Sequence, residues 1–220
     1  MNRKNLQDLA RFLIRNFSHT EFIGSENIPL KGGVILAINH MSRVDVPILF
    51  AMPARDDVYA LAATKYKQYW LFKYMIDTTE SIWIERDSAD FGALRAAVAC
   101  VKKGQALGVA PEGTRSTNGQ LAEGKPGTAL IAEKTRAPIV PVGLSGSETA
   151  VKQLRSLRRP HIVVRFGKAF TLPAMDRQDR NAWLKSCNEE IMCRIAALLP
   201  PQYHGFYAGH PRLKELLRDQ

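Results

Sequence analysis

Two residues early in the chain, His40 and Asp45, are of types that catalyse proton transfer. An imidazole can take a proton from a hydroxyl group, and a carboxylate can orient that imidazole and stabilise its charged form. Five helical steps of about 100° would leave the two side chains roughly 140° apart, so they cannot share one face of a helix. They can meet only if His40 lies on a turn and Asp45 at the start of the following helix.

The same residues are compatible with a structural role. Ser42 and Asp45 match a capping pattern at a helix start, and Asp45 could itself be the N-cap. Pro47 favours the second arrangement, because proline is tolerated in the first turn of a helix and not in its interior. A capping Asp45 and an orienting Asp45 do not exclude each other, so the spacing leaves both interpretations open.

A second polar motif, PEGTRS, follows directly after an apolar run that is typical of a buried strand. Gly113 permits a tight turn, and Thr114 adds a hydroxyl group. Arg115 supplies a rigid, two-pronged donor that matches the oxygens of a phosphate ester. Arg86 ends another short apolar run, so both guanidinium groups and His40 could converge on one crevice of a sheet. A surface turn with an incidental arginine is the alternative interpretation of the motif taken alone.

The elements that must position these residues alternate between short apolar runs and helical patterns. The clearest helix runs from Ser88 to Lys103, with Ser88 as its cap and Gly104 as its end. This alternation indicates a single α/β domain with a mostly parallel or mixed sheet flanked by helices. The predicted strands are 34–38, 58–62, 82–84, 106–110, 139–144 and 161–166, and the predicted helices are 2–17, 46–52, 88–103, 128–136 and 176–199.

The composition points to a globular protein with an anionic partner. The 220 residues are 45% hydrophobic and 24% charged, which excludes a disordered, collagenous or coiled-coil chain. Lys and Arg number 31 against 21 Asp and Glu, a net charge of +10, and no acidic residue lies between Glu148 and Asp176. Nucleic acid, a phospholipid surface and a phosphorylated substrate all fit such a charge. No nucleic-acid-binding motif is recognisable, so we do not expect nucleic acid as the partner.

The chain has no segment typical of a transmembrane helix. The predicted N-terminal helix places Leu6, Leu9, Leu13 and Phe17 on one face, which suits either packing on a core or insertion into a membrane surface. Both interpretations stay open. The net charge of +10 and the missing transmembrane segment lead us to expect a peripheral protein at the cytoplasmic face of a membrane.

Three cysteines are too few and too scattered for a disulfide framework, so buried, reduced thiols are expected. His204 and His210 have no zinc-like spacing from these cysteines, and no metal site is expected. A serine hydrolase would need a Gly-x-Ser-x-Gly elbow, which the sequence around Ser145 lacks because Ser147 stands at the second glycine position.

Four segments occur in the order NHMSRVD, IWIERD, VAPEGTRS and APIVPV. This order resembles the sequence blocks of the glycerolipid acyltransferases, a family that includes the PlsC-like 1-acylglycerol-3-phosphate acyltransferases and the glycerol-3-phosphate acyltransferases. The matching span runs from about Asn39 to Val142. His-x4-Asp is a weak signal by itself, but it is specific when PEGTRS follows in this order.

The resemblance implies a role for each matching residue. His40 would be the general base that takes a proton from the acceptor hydroxyl, and Asp45 would hold and charge-stabilise the imidazole. The segment APIVPV would shape the acyl-donor side. The phosphate and glycerol pocket of the acceptor would consist of Arg86, Glu112, Gly113, Thr114 and Arg115. The second block departs from the family where Glu80 replaces a common glycine, which puts the local turn and the accepted polar head in doubt.

The implied activity is transfer of a fatty acyl group from acyl-CoA or acyl carrier protein to lysophosphatidic acid, which gives phosphatidic acid. Neither a metal nor another cofactor is implied, and the partners would be these substrates, an anionic membrane surface and an acyl carrier protein. Glycerol 3-phosphate or another lysophospholipid as acceptor, or a non-catalytic basic membrane-binding module, are the alternatives. The expected division is an N-terminal amphipathic helix (1–20), an acyltransferase domain (21–199) and a C-terminal tail (200–220).

Overall fold

The computed structural model describes residues 2–85, 90–175 and 178–219. Its strands are β1 (His19–Ile23), β2 (Val34–Ile38), β3 (Val58–Ala63), β4 (Ile82–Ile84), β5 (Ala106–Val109), β6 (Ile139–Ser145) and β7 (His161–Phe166). Its α-helices are α1 (Arg3–Phe17), α2 (Asp45–Ala51), α3 (Trp70–Thr78), α4 (Phe91–Lys102), α5 (Gly127–Thr135), α6 (Ala150–Arg155), α7 (Arg180–Ala196) and α8 (Pro211–Arg218).

The strands form one sheet in the order β1-β7-β6-β2-β5-β3-β4. Strands β2 to β6 are mutually parallel, whereas β7 is antiparallel to β6 and β1 is parallel to β7. The predicted α/β fold with a mostly parallel sheet is therefore confirmed. The carboxyl ends of β2 to β6 meet along one side of the sheet, which we call the carboxyl edge. Strands β7 and β1 begin at that same edge because they run the other way.

Strand β2 shows how the sequence builds two layers around the sheet. All five of its residues are buried, as expected for a central strand covered on both faces. Successive side chains point to opposite faces. Leu36 joins the hydrophobic cluster that includes Ile48 of α2, whereas Ile35 joins the cluster that includes Ala97 of α4 and Ile191 of α7. The apolar run VILAI thus holds both layers and brings the chain to the carboxyl edge at Asn39.

Helix α1 does not bury the whole apolar face predicted for it. Leu6 is buried, but Leu9, Leu13 and Phe17 are exposed. The helix is rotated because polar side chains reach inward: Gln7 Nε2 donates to Asp56 O at 2.7 Å, and Arg3 Nη1 donates to Thr79 O at 2.8 Å. The remaining face rests on α2 and contacts α3. An apolar stripe therefore stays uncovered on the outer side of α1.

The predicted boundaries of two helices were wrong. Helix α4 begins at Phe91, and its N-cap is Asp90, whose Oδ1 accepts from Ala93 N at 2.8 Å. Asp90 therefore fills the capping position predicted for Ser88, which lies outside the described residues. The helix predicted over 176–199 runs from Arg180 to Ala196. Asp179 caps its N-terminus, and after Ala196 the backbone N–H groups bond back to the helix from a segment that is no longer helical.

Strand β1 was not predicted from the sequence. Its residues HTEFI alternate exposed and half-buried positions, and among the described residues it pairs with β7 alone. An edge strand of this kind lacks the continuous apolar run that revealed β2. Strand β1 nevertheless makes residues next to α1 part of the sheet.

The C-terminal residues pack onto the α7 side of the sheet. Tyr203, Tyr207 and Leu213 are buried in the same hydrophobic cluster as Ile191. The three-part division of the chain stays a prediction, although the tail shares the core of the domain that precedes it. No described helix combines the length and the apolar character that crossing a bilayer requires.

Candidate active site

His40 and Asp45 meet at the carboxyl edge, between β2 and α2. His40 Nδ1 lies 2.8 Å from Asp45 Oδ2, and this oxygen also accepts from the backbone N–H groups of Met41 and Ser42, both at 2.7 Å. Helix α2 begins at Asp45 with Val44 as its N-cap, so Asp45 is not the N-cap. Its carboxylate instead closes the preceding turn and orients the imidazole, which brings the two interpretations of the sequence together in one side chain.

The imidazole of His40 has its free nitrogen turned towards a cavity. A carboxylate can only accept, so the bond to Asp45 places the proton on Nδ1 and leaves the lone pair on Nε2. The His40 side chain is 15% exposed, whereas that of Asp45 is 4% exposed. No described residue bonds to Nε2, and His40 lines a cavity of about 40 Å³ together with Leu61 and Ala110. The arrangement is that of a base held by a buried orienting group.

Asn39 fixes the end of β2 against the neighbouring strand. The residue is fully buried, its Nδ2 donates to Leu144 O at 2.8 Å, and its Oδ1 accepts from Leu144 N at 2.7 Å. The amide thus takes the place of a backbone unit between β2 and β6. Sequence reasoning did not select Asn39, although a polar residue directly after a buried strand is the signal that could have found it.

Glu112 ties the PEGTRS motif to the turn that carries His40. Its side chain is buried, Oε1 accepts from His40 N at 3.1 Å, and Oε2 accepts from Ala122 N at 2.9 Å. Burial raises the pKa of this carboxyl, although the two backbone donors and the nearby imidazole favour its charged form. A contact of Glu112 with an acceptor stays a prediction, and the bonds that the structure contains are within the chain.

The rest of the PEGTRS motif forms an open turn beside Lys125. Gly113 adopts φ +68°, and a Cβ atom there would lie 2.9 Å from Cδ of Lys125, so the turn favours glycine. Thr114 is exposed and Arg115 half-buried, and the Arg115 guanidinium has no hydrogen bond or ion pair within residues 2–85, 90–175 and 178–219. Arg86, the other predicted guanidinium, lies outside the described residues.

An apolar cavity adjoins that of His40, and a polar cavity adjoins the apolar one. An apolar cavity of about 390 Å³ shares Leu61 and Ala110 with it and extends between β4, α4 and α5. A polar cavity of about 110 Å³ is lined by residues that include Thr64, Thr114 and Lys125, and it shares Gly113 and Lys125 with the apolar cavity. The site thus places a base beside an apolar compartment, which in turn borders a polar compartment. Lys125 was not among the site residues predicted from the sequence.

Residues 19–145 match the family model described as Acyltransferase. The chain belongs to the acyltransferase family. The match includes His40, Asp45 and the PEGTRS motif, which lie at the carboxyl edge, whereas the APIVPV segment begins at the opposite end of β6.

Curated relatives of this acyltransferase domain carry one kind of name. A probable 1-acyl-sn-glycerol-3-phosphate acyltransferase of Mycoplasma pneumoniae is 28% identical over 146 residues, which cover 64% of this chain and 54% of the relative. The 1-acyl-sn-glycerol-3-phosphate acyltransferase of Cocos nucifera is 35% identical over 127 residues, which cover 56% of this chain and 41% of the relative. The chain spans about half the length of the curated relatives it matches.

A solved structure shares the fold of this acyltransferase domain. The crystal structure of the 1-acyl-sn-glycerophosphate (LPA) acyltransferase PlsC from Thermotoga maritima superposes with a TM-score of 0.66 at 23% identity. The match covers 86% of this chain and 79% of that chain. The α/β architecture predicted from the sequence blocks is thereby confirmed.

The three cysteines and His204 are accounted for by packing. Cys100, Cys187 and Cys193 are unpaired and buried, as predicted, and burial raises the pKa of each thiol. His204 is buried with Nε2 3.0 Å from Leu199 O. Among the described residues, no group of three or more potential ligands could hold a metal ion.

Proposed function

We propose that this protein transfers a fatty acyl group from an acyl thioester to the free hydroxyl of lysophosphatidic acid, which gives phosphatidic acid. One observation carries the proposal: the imidazole of His40, oriented by Asp45, lines a small cavity that adjoins an apolar cavity, and the apolar cavity in turn adjoins a polar one. An acyl chain and a phosphorylated alcohol are the two substrates that such neighbouring compartments suit. The names of the relatives support the same acceptor.

The reaction uses the free nitrogen of His40. Nε2 takes the proton of the acceptor hydroxyl as the oxygen attacks the thioester carbonyl carbon. The new C–O bond forms, the C–S bond breaks, and the proton passes from Nε2 to the leaving sulfur. Asp45 holds the Nδ1–H group and stabilises the imidazolium that exists between these steps. The two substrates supply all the atoms of this reaction, and no acyl group is attached to the protein.

The compartments divide the substrates between them. The apolar cavity takes the acyl chain of the donor among Leu94, Val109 and Leu130. The polar cavity takes the acceptor phosphate, with Lys125 of its lining as a charged donor and Thr114 as a hydroxyl donor. Arg115 follows Thr114 directly in the chain and can add a two-pronged donor from beside the cavity. The donor is a co-substrate, either acyl-CoA or acyl carrier protein, and the protein's own side chains supply the acid–base chemistry.

A peripheral position at the cytoplasmic face of a membrane belongs to the same proposal. Leu9, Phe12 and Leu13 form part of the exposed apolar stripe of α1, and the net charge is +10. An amphipathic helix with basic surroundings is attracted to anionic lipid and can insert its apolar side chains. The acceptor would then reach the polar cavity from the lipid phase.

The test is acyl transfer by the purified protein and its His40→Ala variant, from oleoyl-CoA to lysophosphatidate and to glycerol 3-phosphate in parallel. We expect turnover with lysophosphatidate that falls by at least about 10³-fold in the variant, because the base is lost. His19→Ala removes an exposed histidine and serves as the matched control, which should keep full activity. Full activity in His40→Ala would contradict the mechanism. Turnover with glycerol 3-phosphate and none with lysophosphatidate would show that glycerol 3-phosphate is the acceptor.

A further inference from the structure

The turn that follows α6 carries a leucine in an unusual position. Leu157 adopts φ +55° and is 96% exposed. Leu157 N donates to Leu154 O at 3.0 Å, and Arg158 N donates to Gln153 O at 2.9 Å. This pair of bonds is a Schellman motif, and Leu157 occupies its left-handed position, where glycine is the usual residue. The side chain packs on nothing there, so the fold supplies no reason for a leucine.

Exposed apolar and basic side chains alternate around this turn. We call residues 151–158 the α6 tip. Within it, Val151 and Leu154 are exposed like Leu157. Its three cations, Lys152, Arg155 and Arg158, are also exposed, and they have no ion pair with any residue of the described chain. Aliphatic side chains that protrude among unpaired cations suit a partner that has an anionic surface and an apolar interior.

The α6 tip lies on the same edge of the sheet as His40. Asn39, the residue before His40, bonds to Leu144 of β6, and α6 starts six residues further along the chain. Arg159 then donates through Nη2 to Arg15 O at 2.8 Å and to Ser18 O at 2.9 Å. The tip is therefore fastened to the C-terminal end of α1.

This attachment joins the tip to the exposed stripe of α1. Leu13 and Phe17 of that stripe lie in the last turns of the helix, beside the carbonyl groups that Arg159 binds. The two apolar surfaces consequently flank one end of the molecule, at the carboxyl edge. Leu30, another strongly exposed leucine, precedes β2 and so lies at the opposite edge.

We propose that the α6 tip docks on the surface of an anionic phospholipid bilayer, with Leu154 and Leu157 inserted and Lys152, Arg155 and Arg158 against the lipid phosphates. This contact turns the His40 edge towards the membrane. The inference deepens the proposed function, on which it rests for the assumption that the acceptor arrives from a membrane. A bilayer fits better than a protein partner because the exposed leucines of the tip stand among cations that have no ion pair in the described chain, and the apolar stripe of α1 lies beside them.

Leu157→Gly is the most informative variant. Glycine adopts the left-handed conformation without steric cost, so we expect the unfolding temperature to stay the same or rise. Binding to vesicles of phosphatidylcholine and phosphatidylglycerol in a 3:1 ratio should nevertheless weaken by roughly tenfold, measured by co-sedimentation, because one inserted leucine is lost. Leu30→Ser, at the opposite edge, is the control and should bind like the wild type.

Charge reversal tests the other half of the contact. Arg155→Glu combined with Arg158→Glu should weaken vesicle binding by more than about twentyfold, since each lost cation is worth about fivefold and the new carboxylates repel the lipid. Lys102→Glu combined with Lys103→Glu changes the net charge equally at the other edge of the sheet, and its effect should be much smaller. Equal binding by Leu157→Gly and wild type, or equal effects of both charge reversals, would overturn the proposal.

Turnover distinguishes failure of the tip from failure of the proposed function. With short-chain lysophosphatidate dissolved as monomers, Leu157→Gly should match the wild type, whereas with vesicle-borne lysophosphatidate it should be slower. If Leu157→Gly binds vesicles more weakly but neither it nor the wild type shows turnover, the result supports the membrane contact of the α6 tip and contradicts the proposed reaction. Unchanged vesicle binding together with slower transfer from acyl carrier protein would overturn the lipid contact in favour of an acidic protein partner.

Discussion

Glu112 could either position the turn that carries His40 or contact the acceptor directly, and these two roles predict different effects of mutation. Each of its carboxylate oxygens accepts one backbone N–H group, from His40 and from Ala122. In Glu112→Gln the side-chain NH₂ must face one of these donors, so we expect the unfolding free energy to fall by about 1–3 kcal/mol. The turn that carries His40 would shift, so kcat should fall while the KM for the acceptor changes little. Glu123→Gln, on an exposed residue nearby, is the control.

A direct contact between Glu112 and the acceptor would instead raise KM and leave stability unchanged, which would contradict the positioning role. The pH dependence adds a second readout. Burial raises the pKa of Glu112, so the folded protein keeps this proton at pH values where the unfolded chain has released it. This carboxyl therefore lowers stability as the pH rises from the ordinary carboxyl range through the raised pKa. The stability of wild type relative to Glu112→Gln should fall across that window.

At the scale of elements, α4 forms a wall of the compartment that we assign to the acyl chain. Ala97 is fully buried on this helix and lines the apolar cavity together with Leu61 and Val109. Ala97→Leu would narrow the cavity, so we expect the preference for palmitoyl-CoA over decanoyl-CoA to fall by about tenfold in kcat/KM. Ala96→Leu adds the same atoms on the exposed face of α4 and should leave the preference unchanged. An unchanged chain-length profile in Ala97→Leu would place the acyl chain elsewhere.

The elements also show which parts of the structure could be predicted from the sequence. Strand β2 was predicted because an unbroken apolar run has few alternatives, and the turn with His40 and Asp45 was predicted because its contacts are local. The orientation of α1 was not, since it depends on Gln7 and Arg3 reaching carbonyl groups of distant residues. The partner of Asn39 was equally hidden, because it lies in β6, more than a hundred positions along the chain. Local patterns predicted most of the elements and the contact of His40 with Asp45, while long-range polar contacts required the structure.

At the scale of the whole molecule, the C-terminal tail holds the loop that shapes the polar side of the site. Tyr203 O accepts from Leu121 N at 2.8 Å, and the Tyr207 hydroxyl accepts from Gly124 N at 3.0 Å. This loop contains Ala122, a donor to Glu112, and it leads directly into Lys125. Burial raises the pKa of the Tyr207 hydroxyl to about 12, so it stays neutral at ordinary pH. The tail thus acts on the polar cavity from the opposite end of the sequence.

Tyr207→Phe tests this long-range connection, because it removes the hydroxyl and leaves Gly124 N without its acceptor. We expect the unfolding free energy to fall by about 1–3 kcal/mol. Since Lys125 follows Gly124, the KM for lysophosphatidate should rise by several-fold, while the KM for oleoyl-CoA stays near that of the wild type. Tyr69→Phe, on a half-exposed tyrosine before α3, is the matched control and should change neither quantity. A loss of stability with unchanged acceptor KM would mean that the tail supports the core alone, because a loosened loop around Lys125 must weaken a phosphate bound there.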